Sequence, residues 1–239
     1  MARTIIGLQP VREAIRARAG DIERILVEAG DSPTLKALAR FARDQGIEVE
    51  TVSRAELDRA TRGARHQGVL ALATELSLVG LDELSLGEDA LLVALDGLQD
   101  PQNFGAAIRS AVAFGADALI WPEHASAPLT PATFRASAGA IEHATLCRVP
   151  SLVTALTQLD TQGAMTVGLD ASAEASIDEL DLTGPVVLVV GSEGKGLGRQ
   201  VRKTCQKLAK LPMRGPIDSL NASVALAIAL YEVVRQRRG

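Results

Sequence analysis

From residue 91 onward, short aliphatic runs recur at 91–95, 118–121, 144–149, 165–169, 186–190 and 208–211, with helix-type patterns between most of them. Short, mostly apolar runs of this kind suit buried strands, and the helical stretches between them supply the crossovers that parallel neighbours require. This pattern predicts an α/β fold built on a mostly parallel sheet. Helices are expected at 102–114, 152–159 and 222–237, the last about 24 Å long at ~1.5 Å per residue. That helix carries two apolar stripes, Val224, Ile228 and Tyr231 on one and Leu226, Leu230 and Val233 on the other. One core-facing side needs only one stripe, so a second protein surface, a dimer partner, is expected to cover the excess.

The first part of the chain reads as a separate small α/β unit, with helices at 7–19, 34–45 and 54–61 and extended segments at 24–27 and 48–52. Residues 75–90 hold five acids and two glycines without a clear period, which marks a linker. The expected division is a domain at 1–74, a linker at 75–90 and a second domain at 91–239, and a chain of 239 residues accommodates two modest domains.

With 47% hydrophobic, 23% charged and 3% aromatic residues, the chain can bury an aliphatic core. No uncharged apolar run approaches the ~18 residues of a spanning helix, and the opening MARTIIGLQPVREAIRARAG interleaves charge with apolar residues. A cytoplasmic protein without a membrane partner is expected. Cys147 and Cys205 lack C-x-x-C spacing and His66, His124 and His143 form no ligand cluster, so neither a disulfide framework nor a metal site is indicated. The net charge of −4 is unevenly spread: residues 1–74 carry 12 Lys/Arg against 10 Asp/Glu, 75–194 carry 3 against 17, and 195–239 carry 10 against 2. The basic C-terminal third suits either a phosphate-facing surface or a solvated helix face.

Three stretches carry potential chemistry. In DGLQDPQNFGAAIRSAVAFG (96–115), Asp100-Pro101 starts a small-residue helix. Arg109 on it is either a surface residue or a group held for an anion, and Asn103 either a first-turn residue or a polar contact. In PVVLVVGSEGKGLG (185–198), a buried strand ends in a glycine-rich turn that lets backbone groups approach a ligand. Its spacing matches neither G-x-x-x-x-G-K-[ST] nor G-x-G-x-x-G, and Glu193 within it is either a solvated acid or a positioned carboxylate. In LAKLPMRGPIDSLNASVALAIALYEVVRQRR (208–238), Ser219 or Asn221 precedes the long helix as an N-cap or as a site residue.

The ordered set N-F-G-x-x-x-R-S-A, G-S-E-G-K-G-L and L-P-M-x-G-x-x-x-S-L-N resembles the three signature motifs of SpoU-type (SPOUT) RNA 2′-O-ribose methyltransferases. RHQGV at 65–69 and YEVVRQR near the C-terminus resemble the bacterial 23S rRNA guanosine-2′-O-methyltransferase subgroup. The resemblance implies a parallel-sheet catalytic domain with a C-terminal trefoil knot, an exception to unknotted connectivity, and an N-terminal RNA-binding domain like ribosomal protein L30e. It implies S-adenosyl-L-methionine as cofactor, held by Gly191, Leu211, Met213 and Leu220. The reaction site it implies comprises Asn103, Arg109, Glu193, Ser219 and Asn221, with Arg109 a base or a clamp on a phosphate. The implied partners are rRNA, 23S foremost, and a second copy of the chain docked through the C-terminal helix, with Arg109 reaching the partner's cofactor. Arg12, Arg16, Arg18, Arg62 and Arg65 are candidate RNA contacts in the first domain. Three other readings stay open: a methyltransferase of tRNA or of an antibiotic-resistance site in rRNA, a non-catalytic RNA-binding assembly factor, and a nucleotide-dependent enzyme using the glycine turn.

Overall fold

The computed structural model describes residues 3–124, 126–217 and 219–238; Met1 and Gly239, the outer bounds of the expected domains, lie outside them. Two compact units emerge. One comprises residues up to Ser77 together with Leu129–His143, and the other Leu78–Pro128 with Ala144 onward.

In the first unit, β1 (Arg3–Ile6), β2 (Ile22–Glu28), β3 (Glu48–Val52) and β4 (Val69–Ala73) form a sheet in the order β1-β4-β2-β3. β4 runs antiparallel to both β1 and β2, while β2 and β3 are parallel. Helices α1 (Leu8–Arg18), α2 (Pro33–Asp44) and α3 (Arg54–Ala60) pack on it around Ile5, Val11, Ile15, Ile25, Leu38 and Leu57. Each helix start has an identifiable hydrogen-bonding cause. Ser32 accepts from Leu35 N–H ahead of Pro33, and Ser53 and Glu56 form a reciprocal capping box. Gly7 has no side chain to cap α1, and Gln67 does it instead, its Oε1 accepting from Leu8 N–H at 3.1 Å. The RHQGV segment is therefore a structural turn. Gln67 and Gly68 have φ of 53° and 79°, and buried His66 accepts from Gly68 N–H on Nδ1 (3.0 Å) while its Nε2 faces Asp58 Oδ1 at 3.0 Å.

Residues 129–143, placed by the sequence within the second domain, pack in the first unit. They form α5 (Pro131–Ala136) and a 3-10 turn, Ala140–His143. The Arg3 guanidinium meets Glu142 at 2.7 Å, lies 5.6 Å from the Phe134 ring centroid and donates to Thr74 C=O. Arg18 donates to Glu142 C=O, so this arginine is spent on an internal contact. Gly139, at φ 86°, comes so close that a Cβ there would lie 2.9 Å from Pro10 Cα. Burial raises the Glu142 pKa, and the Arg3 guanidinium only partly opposes it.

The second unit holds six parallel strands in the order β10-β8-β9-β5-β6-β7. They are β5 (Leu91–Asp96), β6 (Ala118–Pro122), β7 (Leu146–Val149), β8 (Met165–Leu169), β9 (Val186–Gly191) and β10 (Lys207–Ala209). Helices α4 (Pro101–Ala113), α6 (Leu152–Thr161), α7 (Arg199–Thr204) and α8 (Ala222–Arg237) connect or follow them. The all-parallel sheet agrees with the continuous aliphatic runs, since β5 and β9 are buried over nearly their whole length. The acidic stretch expected as a linker is docked over much of its length: Val79 N–H donates to Leu146 C=O, and Leu81, Leu84 and Leu86 pack on the core. Of the two stripes on α8, Leu226, Leu230 and Val233 are fully buried, whereas Val224, Ile228 and Tyr231 are 46%, 41% and 56% exposed.

Replacing Glu142 by Leu leaves the Arg3 guanidinium buried without its carboxylate and should cost about 3–5 kcal/mol in urea unfolding. The double variant Arg3→Met/Glu142→Leu should regain most of that loss; equal destabilisation of both variants would show that the pair does not hold this segment.

Candidate active site

All strands of the second unit point the same way, so their carboxyl ends share one edge, where open α/β sheets place ligands. A cavity of about 740 Å³ opens there, walled by the ends of β8, β9 and β10 and by the loops that follow them. Its back wall is made by backbone. At Gly191 a Cβ would fall 2.1 Å from the Gly196 carbonyl carbon, so no side chain fits at this position. The turn folds back because Ser192 and Gly196 exchange N–H···O=C bonds of 3.0 and 2.9 Å, with Gly194 and Gly196 at φ 75° and 63°. Asp96, beside Gly191 in the β5–β9 register, closes the turn by accepting from Gly198 N–H at 2.6 Å.

Gly191, Leu211, Met213 and Leu220 all line this cavity, as do Glu193, Ser219 and Asn221. Asn221 has two tasks. Its Oδ1 caps α8, accepting from Ser223 N–H (2.9 Å), Val224 N–H (3.3 Å) and Ser223 Oγ–H (2.6 Å). Its Nδ2 donates to Asn103 Oδ1 at 2.8 Å and to Glu193 Oε1. The helix cap and the contacts to Asn103 and Glu193 thus use opposite ends of one amide. Asn103 reaches the group because Asp100 caps α4, accepting from Asn103 N–H at 3.0 Å with Pro101 at the first helical position. Three residues from three distant sequence stretches therefore meet in one hydrogen-bonded cluster. Arg109 is not part of it: it lies exposed on α4, with no hydrogen-bond or ion-pair partner among the described residues, and does not line the cavity.

Four residues at this edge were not singled out in the sequence. Besides Asp96, these are Asp170 just past β8, Ser172 and Arg202 of α7. Burial pushes the Asp170 carboxyl upward, but hydrogen bonds from Ser172 and Arg202 (2.5 Å) outweigh it and hold the group below the ordinary carboxylate range. Each of the two acids ends or directly follows a buried strand, a signal that could have marked them. Lys195, Arg202 and Lys210 bring part of the basic C-terminal third to the cavity wall. Both thiols are pushed up to about 11, chiefly by burial, which fits inert cysteines rather than nucleophiles. No group of potential metal ligands occurs among the described residues, and no helix among them is long and apolar enough to cross a membrane.

A backbone-walled pocket of this size, with apolar side chains from the Leu211–Leu220 segment and both charge signs on its rim, fits a nucleoside bearing a charged amino-acid tail. Residues 90–231 match the model of the SpoU rRNA methylase family, and residues 4–79 match that of the RNA 2′-O ribose methyltransferase substrate-binding domain. The chain belongs to the SpoU rRNA methylase family. It is 41% identical over 242 residues to a 23S rRNA (guanosine-2′-O-)-methyltransferase RlmB of Xanthomonas campestris, covering 98% of this chain and 97% of that one. It is also 41% identical to an uncharacterized tRNA/rRNA methyltransferase of Mycobacterium ulcerans, covering 98% of this chain and 77% of that protein. The crystal structure of the SpoU methyltransferase AviRb from Streptomyces viridochromogenes in complex with AdoMet is similar at a TM-score of 0.83 and 29% identity, covering 99% of this chain and 91% of that one. As a SpoU-family member the chain is an RNA methyltransferase that depends on S-adenosylmethionine.

Gly191→Ala forces the 196–197 backbone away from the end of β9 and should weaken S-adenosylmethionine binding at least about tenfold, ~1.4 kcal/mol, in calorimetry, with the far-UV circular dichroism of the variant compared with wild type to separate this from unfolding. Wild-type affinity would show that the turn does not contact the cofactor.

Proposed function

We propose that this chain methylates a ribose 2′-hydroxyl of ribosomal RNA, at a guanosine of 23S rRNA. The observation that carries the reading is the Asn103–Asn221–Glu193 cluster set against a cavity whose back wall only glycine can form. The choice of RNA is supported by the near end-to-end match to the Xanthomonas enzyme and by the substrate-binding match over residues 4–79. When bound, S-adenosylmethionine supplies an electrophilic methyl group, leaving the protein to align the reactants and manage charge. In this reading the backbone at Gly191, Leu211, Met213 and Leu220 holds the adenine. Because Asn103 Oδ1 already accepts from Asn221, its own amide N–H groups remain as donors for a ribose or phosphate oxygen. Ser219 orients the same groups, and Glu193 fixes the Asn221 amide.

Arg109 acts in this reading as a bidentate clamp on the phosphate beside the reacting ribose, since a guanidinium offers a planar fork of N–H donors that matches a phosphate and has no acceptor atom to take a proton. It serves the site of a second copy, docked on the Val224, Ile228 and Tyr231 face of α8, whose exposure supports a dimer. The reading includes the C-terminal trefoil knot, the L30e-like form of the first domain and a cytoplasmic location beside the rRNA.

The test is transfer from labelled S-adenosylmethionine to unmodified 23S rRNA fragments, 16S rRNA and tRNA, followed by mass spectrometry of the nucleosides. The expected product is 2′-O-methylguanosine confined to a 23S fragment, abolished by Ile228→Glu, which should leave the chain monomeric. Transfer to tRNA alone would overturn the choice of RNA, and transfer to none of the three would overturn the reading.

A further inference from the structure

The first unit has a cavity of its own, about 300 Å³, between α1 and α2. Leu8, Arg12 and Arg16 fall on one stripe of α1 at i, i+4 and i+8, and Thr34, Leu38 and Phe41 on one stripe of α2 at i, i+4 and i+7. The two stripes converge to give an apolar floor of Leu8, Leu38 and Phe41 beneath a cationic rim. No carboxylate lines the cavity. Arg12 is exposed and has no hydrogen-bond or ion-pair partner among the described residues; Arg16 pairs with Glu13 at 2.9 Å, yet its side chain is 46% exposed. The chain has only four phenylalanines. Of the two in this unit, Phe134 is buried beneath Arg3, so Phe41 is the phenyl ring that reaches the surface.

We propose that this cavity binds an unpaired nucleotide of the RNA substrate, with the base on the Leu8, Leu38 and Phe41 floor and its flanking phosphates on Arg12 and Arg16. The proposal rests on the reading of the chain as an RNA methyltransferase and adds what part of the RNA the first unit reads. An aromatic face beside guanidinium groups is how proteins hold bases that have left a helix, because every base offers a π-face while its phosphates need cations. A paired base cannot enter, so the cavity selects RNA with a bulge, loop or single-stranded segment. Of the five arginines noted in the sequence, this assigns Arg12 and Arg16 to RNA and leaves Arg18 in its internal contact with Glu142.

The experiment compares the full-length wild type with Arg12→Ala/Arg16→Ala, Phe41→Leu, Phe41→Tyr and a control, Arg40→Ala/Arg43→Ala, which removes the same charge from exposed positions outside the cavity. Binding is measured to a fully paired RNA duplex and to the same duplex with a bulge, alongside methyl transfer to 23S fragments. The wild type should prefer the bulged RNA, and Phe41→Leu should lose about fivefold or more of that preference, with Phe41→Tyr restoring it. Arg12→Ala/Arg16→Ala should weaken RNA binding at least about tenfold more than the control and flatten its salt dependence, while S-adenosylmethionine affinity stays at the wild-type value. Equal wild-type binding to paired and bulged RNA would overturn the proposal, as would arginine variants no weaker than the control. If the wild type still methylates 23S fragments in that case, the cavity alone is wrong; if it methylates no RNA, the functional reading fails as well.

Discussion

The site depends on one close approach, the Gly196 peptide lying where a side chain of residue 191 would have to be. The approach ends β9 without a bulge and brings the turn back over the strand, so that the cavity wall is main chain instead of side chain. The other contacts at this edge maintain it. Asp96 holds Gly198 N–H at the far end of the turn, and the Ser192–Gly196 pair closes its middle. With the turn so fixed, Glu193 meets the Asn221 amide at the start of α8. A main-chain wall suits a ligand recognised by fixed hydrogen-bonding groups, since backbone donors and acceptors lose no side-chain entropy when they bind.

Asn221 joins the start of a helix to the polar cluster in a single side chain. Its Oδ1 satisfies N–H groups in the first turn of α8, which would otherwise lack partners, and its Nδ2 organises Asn103 and Glu193. The long helix, the small-residue helix α4 and the glycine turn are thereby tied at one point. The same α8 buries Leu226, Leu230 and Val233 against its own unit and presents Val224, Ile228 and Tyr231 outward. One element thus holds the polar cluster at its N-cap and leaves an apolar stripe exposed along its length.

Much of this was legible in the sequence. Short apolar runs foretold the six parallel strands, most plainly at β5 and β9, which are covered on both faces and leave no polar alternation to confuse the pattern, and β8 occupies the expected residues 165–169. Helix α8 likewise begins and ends as its periodicity indicates. The residues of the cavity were recognisable from motif order, since no single motif was distinctive. What was not legible is long-range and polar. Nothing in the periodicity of residues 129–143 tells that Glu142 pairs with Arg3, or that Gly139 lies against Pro10. The capping of α1 by Gln67, a residue 59 positions away, is equally invisible to local pattern. Strands β1 and β4 were missed for a related reason: each is short and is defined by the other across the sheet.

The central claim is that the cavity behind Gly191 holds the methyl donor, with its reacting end toward the Asn103–Asn221–Glu193 cluster. A crystal structure of the full chain with S-adenosylhomocysteine, the product left after transfer, tests this most directly. The account predicts the adenine against the 191–198 turn and the Leu211–Leu220 segment, and the sulfur facing Asn103 and Asn221. Density for the ligand at any other place on the chain, or a sulfur turned away from that cluster, would contradict it.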